Sequence, residues 1–116
     1  MEVNQLITAR IHLHIAKVLC ILGLRTHAVY YLHRVFGFLD EHSKRLGSTI
    51  YNRYFLMSFY GLSEREVREL YSFLYGLDHG WRLMEIYNMA HRMFRELIET
   101  MICTYLVGGE YIRDVF

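Results

Sequence analysis

Apolar positions recur along this chain mostly in alternating steps of three and four, the spacing that puts side chains on one face of a helix turning by about 100° per residue. The clearest case runs from Ser63 to Met101. Ser63-Glu64-Arg65-Glu66 has the capping-box pattern, in which the serine oxygen accepts from the backbone three residues on and Glu66 reaches back to the serine amide. Val67, Leu70, Tyr71 and Leu74 follow at helical spacing, and Gly76 stands where a residue free to take positive φ ends a helix. From Trp81 a second helix is expected, with Leu83, Tyr87, Ala90, Phe94, Leu97 and Met101 on one side and Glu85, Asn88, Arg92, Arg95, Glu96 and Glu99 on the other. Met84, His91, Ile98 and Ile102 widen its apolar arc along one flank, more than one neighbouring helix needs, and predict either two neighbouring helices or contact with a second copy of the chain, with these four at the dimer interface.

Residues 3 to 22 are apolar nearly all round, with Arg10, His14 and Lys17 as a narrow polar stripe, which predicts a mostly buried helix. Arg10 to Ile15 alternates as a strand does, but the alternation fails through Ala16-Lys17-Val18-Leu19-Cys20, so helix is preferred. Gly23 punctuates, Thr26 is placed to cap a second helix, and Ala28, Leu32, Val35, Leu39, His42 and Leu46 line one side of it before Gly47. The aromatic stretch 48 to 62 fits either a short helix or a packed connection. After Val107 the chain opens on Gly108-Gly109 and is too short for an independent element. The expected architecture is all-α: one domain over residues 1–116, an antiparallel bundle of four principal helices.

Composition agrees. There is no proline among 116 residues, which favours long helices over strands and turns, and 53% hydrophobic positions suffice for a single core. The net charge of +1 supplies no overall field to draw in nucleic acid, leaving only a local patch to do so. Both cysteines, Cys20 and Cys103, lie in apolar helical sequence and read as buried thiols. No basic leader with a cleavage site opens the sequence and no uninterrupted apolar run reaches the roughly 18 residues of a membrane span, so a cytoplasmic chain without a membrane partner is expected.

Seven histidines raise the question of a metal, but His12 and His14 splay apart on a helix and His27, His33 and His42 share no ligand spacing, so no metal or other cofactor is expected. His42 sits on the apolar series of its helix and reads as a hydrogen-bonded core or interface residue. The carboxylates of Asp40-Glu41 and of Glu96 with Glu99 read as solvated charge, and Arg92 with Glu96 and Arg95 with Glu99 as surface pairs. The turn before the last helix gathers Asp78, His79 and Arg82 where free backbone donors could receive an anion such as phosphate. The plainer alternative there is that Asp78 caps, His79 and Gly80 turn the chain, and Arg82 is solvated.

Ala16-Lys17-Val18-Leu19 leading to Gly23-Leu24, then Ala28-Val29-Tyr30-Tyr31, together with His79-Gly80-Trp81 opening the last helix, resemble the HEPN family of small helical bundles associated with nucleotidyltransferases and RNA cleavage. In members that cut RNA, an arginine precedes that histidine with four to six residues between them, and the pair meets its counterpart across a homodimer. Here Ser72, Phe73 and Leu74 occupy those places. The resemblance therefore implies the other role: a non-catalytic accessory or binding subunit of toxin–antitoxin type, a homodimer whose partner is a nucleotidyltransferase or an RNA, with Asp78, His79 and Arg82 near the site. The rivals are a divergent metal-independent ribonuclease using His79 as general acid or base, and a structural scaffold protein of a larger assembly.

Overall fold

The computed structural model describes residues 3–77 and 82–115, and the side chains of residues 4–77 and 82–103. Among the described residues there is no strand, and the chain forms five helices: α1 (Val3–Leu22), α2 (Arg25–Arg45), α3 (Arg53–Ser58), α4 (Glu64–Tyr75) and α5 (Leu83–Val115). The all-α class expected from periodicity is what the chain adopts.

The breaks are set locally. Gly23 and Gly76 take positive φ (+73° and +64°) immediately after α1 and α4, and Gly47 (+91°) does so one residue beyond, after the α2 cap Leu46. Each lets the amide of the following residue reach back five residues, as from Leu24 to the Leu19 carbonyl at 3.0 Å and from Leu77 to the Ser72 carbonyl at 3.0 Å. The capping box forms in full: the Ser63 oxygen accepts from the Glu66 amide and Glu66 accepts from the Ser63 amide. Thr26 does not cap α2. That helix starts two residues earlier, from Leu24, which offers no capping side chain, because Gly23 turns the chain directly into it.

The segment 48 to 62 is both a packed connection and a helical turn. Asn52 caps α3 by accepting from Tyr54 and Phe55 amides at 2.9 and 3.2 Å. Asp40, expected to be merely solvated, instead braces the approach to α3 by accepting from the Thr49 hydroxyl and, at 3.0 Å, from the Ile50 amide. Phe55, Phe59 and Tyr60 pack ring on ring, and the Tyr60 hydroxyl meets the buried Ser43 hydroxyl at 2.8 Å.

The core draws on every helix. Leu32, Val35, Phe36 and Leu39 of α2 face Leu56, Val67, Leu70 and Phe73, and α5 supplies Ile86, Met89, Met93 and Leu97. Burying each large side chain stabilises the fold by about 1.5–3 kcal/mol. α1 packs on α2 and α5, α2 also meets α5, and α4 meets α3 and α5. Arg92 ties α4 to α5: rather than pairing with Glu96 on its own helix, it bonds Glu66 and, at 3.3 Å, the Gly61 carbonyl.

Three expectations are corrected by the packing. α1 is not mostly buried: Ala9, Leu13 and Ala16 face the core, while Ile7, Ile11, Val18, Ile21 and Leu22 are half or more exposed. Its two charged residues do not interrupt the helix, so Asn4–Leu22 is long and apolar enough to cross a bilayer, by length and composition alone. The α5 backbone stays helical through Gly108-Gly109 to Val115, because it continues an established helix and needs no new nucleus. Of the two thiols Cys103 is exposed and only Cys20 is half-buried, where burial raises its pKa.

Candidate functional site

Of the turn residues, Asp78 and His79 lie outside the described residues. Arg82 is exposed, with its guanidinium 3.7 Å from Glu85, a surface pair that adds little. Along the α5 flank, Met84 and Ile102 are exposed (39% and 52%), His91 is exposed, and Ile98 is half-buried against the core.

What the fold does assemble is a cationic seam between α1 and α5. Arg10, His14 and Lys17 stand one above another on the edge of α1 that borders α5, and His91 and Arg95 stand four apart on the facing edge of α5. Their proximity shows in the imidazole of His91, whose pKa is lowered first by burial and then by the charges of Arg95, Lys17, Arg10 and His14. Among the described residues every charge acting on it is positive. Arg10 also acts on Tyr87, one turn back along α5. Among the described residues the acid engaged there is Glu99, 3.6 Å from Arg95, with both side chains about two-thirds exposed and thus weakly held.

The sign of the seam follows from the sequence. Before Asp40 the chain has a single acidic residue, Glu2, against Arg10, Lys17, Arg25 and Arg34. α1 therefore brings only positive charge to its neighbours. The stripe Arg10-His14-Lys17 is visible in the sequence, but its destination is not: nothing in the spacing says that it borders α5 and meets His91 and Arg95. Chemically the seam suits an anion with several phosphates, since guanidinium and ammonium groups spaced along a helix can each take one phosphate and an arriving negative charge would return His91 to its charged form.

A second concavity, an open cleft of about 450 Å³, lies between α1 and α2 and is lined by Asn4, Gln5, Thr8, His12, Arg34 and Glu41 among others. Low-numbered residues of α1 meet high-numbered ones of α2 across it, so the two helices run antiparallel. His12 lies here, its ring 5.3 Å from Tyr31 and its pKa lowered by burial and then by Arg34. His14 is on the other edge of α1, toward α5, so the pair cannot share a ligand.

His42 differs from expectation. It is buried (3% exposed) against Phe38, with ring centroids 4.4 Å apart, and its Nε2 has no hydrogen-bond partner among the described residues. Burial, then Arg45, lowers its pKa, so it is a neutral core residue at neutral pH. No family model, curated protein or solved structure matches this chain.

Proposed function

We propose that this chain is a non-catalytic helical binding subunit, HEPN-like in its antiparallel four-helix arrangement, whose α1–α5 seam engages the phosphate backbone of an RNA. The observation that carries this reading is the meeting of Arg10, His14 and Lys17 with His91 and Arg95 on one exposed surface, where the charges acting on His91 among the described residues are cationic. As an accessory subunit of toxin–antitoxin type it would present RNA to a nucleotidyltransferase in the cytoplasm. A homodimer fits best along the middle of α5, at Ile98 and Ile102. Centring the two-fold on His91 would set one cationic seam against another, which like charges oppose.

The test is fluorescence anisotropy with a short single-stranded RNA. Arg10→Glu combined with Lys17→Glu should weaken binding at least tenfold. Engagement of about three phosphates also predicts a log–log salt slope near −2 for the parent chain. Both substituted residues are exposed, so the variant should keep its helicity by circular dichroism. Binding that is indifferent to the double reversal, or to salt, overturns the reading.

A further inference from the structure

α1 is built inside out. The residues it turns to the core are mostly small, Ala9, Leu13 and Ala16, and its large aliphatics form a row on the solvent side. Ile7, Ile11, Val18 and Leu22 run the length of a helix about 30 Å long, with exposures of 50%, 51%, 53% and 64%. The row continues past the turn into Leu24, 48% exposed, and is edged by Arg10, Lys17 and Arg25. Between Ile7 and Leu22 His14 alone interrupts the strip, and water is a poor environment for so much aliphatic surface.

We infer that this face of α1, with the α1–α2 turn, lies against an anionic lipid surface. Charge and geometry select that occupant. In a pairing with α1 of a second copy, the seam Ile7, Ile11, His14, Val18 and Ile21 would bury an imidazole at its centre. An antiparallel pairing would set Arg10 beside the other copy's Lys17, and a parallel one would set both against aliphatics, with no acid on α1 to compensate in either case. A headgroup layer carrying negative charge answers the cationic edge, and acyl chains answer the branched aliphatics, while the exposed His14 among them reaches headgroup level instead of being sealed in a dry seam. α1 lies on the bilayer rather than crossing it: leaving the bundle would strip Leu13 and both alanines from the core and carry Arg10 and Lys17 into hydrocarbon.

This inference goes beyond the RNA reading and does not depend on it. The two share Arg10 and Lys17 and part at the aliphatic row. The experiment is co-sedimentation of the full chain with vesicles of phosphatidylcholine containing phosphatidylserine, beside vesicles of phosphatidylcholine alone. Binding to the anionic vesicles is expected, weakened roughly tenfold or more in the Ile11→Ser, Val18→Ser double variant and on the neutral vesicles. RNA binding by that variant should be unchanged, whereas Arg10→Glu with Lys17→Glu should lose both. The lipid inference is overturned if the parent chain stays in the supernatant, if it binds neutral and anionic vesicles alike, or if the serine variant binds as well as the parent. It also fails if light scattering shows a dimer that the serine variant abolishes, since a second copy then covers the face. A parent chain that sediments with anionic vesicles but binds no RNA would sink the seam reading alone.

Discussion

α4 and α1 are both regular helices at the edge of one core, yet they obey different rules. α4 announces itself at both ends, with a capping box at Ser63 and a left-handed glycine at Gly76, and buries Val67, Leu70 and Phe73. α1 has no acidic residue in its first turn and no basic one in its last, and it leaves its bulkiest side chains outside. Apolar character on α4 therefore measures burial in its own core. On α1 it does not, because two neighbours cover only one side of a helix that is apolar on both. A hydrophobic residue is informative about the interior only when its helix has a polar face to contrast with it.

Truncating the two helices should separate them most sharply. Phe73→Ala removes a fully buried ring that stacks on His33 at 4.4 Å and packs on Phe36, and should destabilise the fold by about 3–5 kcal/mol in urea unfolding. A loss below about 1 kcal/mol would mean that α4 does not hold its apolar face in the core.

The cap of α4 is a smaller lever. Glu66→Ala removes the return bond to Ser63 and the tie to Arg92 together, at about 1 kcal/mol. Burial pushes the Glu66 carboxyl up in pKa, but bonds from Arg92 and Ser63 outweigh it and hold it below the usual value. Its folded pKa is depressed, so its contribution is present above the ordinary carboxylate range and lost as acid protonates it. Stability measured from pH 6 down to pH 3 should fall less steeply in the Glu66→Ala variant than in the parent.

Histidine sets the next pH window. His12, His33, His42 and His91 all have pKa values lowered, in each case mainly by burial. The unfolded chain therefore takes up protons first as pH falls through about 6.5, and stability drops below that point. A melting temperature lower at pH 5.5 than at pH 7.5 is expected, with the drop reduced in His42→Leu. RNA affinity should move the other way, rising over the same interval as His91 gains charge beside phosphate. An affinity that falls with acid while the fold persists would remove His91 from the seam.

Smallest of all should be Ile11→Ser on α1, within about 0.5 kcal/mol of the parent, because that side chain already meets solvent. A larger loss in the isolated chain would show that the outer row is packed after all and would collapse the contrast between the helices.

Periodicity and glycine placement were enough to establish the all-helical class, the capping box, the breaks at Gly23, Gly47 and Gly76, and most of the buried series on α2 and α4. These are decided within a turn or two of chain, by backbone donors, by φ and by the helical repeat. The partners of each face were not legible. Ile86, Met89 and Met93 are buried where the Leu83–Met101 series centred the apolar arc elsewhere, and Met84 and Ile102 are exposed although equally apolar. Arg92 chose Glu66, 26 positions away, over Glu96 one turn on, and the cations of α1 met His91 across the bundle. Such pairings join residues far apart in the chain, so no local preference encodes them; they exist only once the helices have settled which sides to bring together.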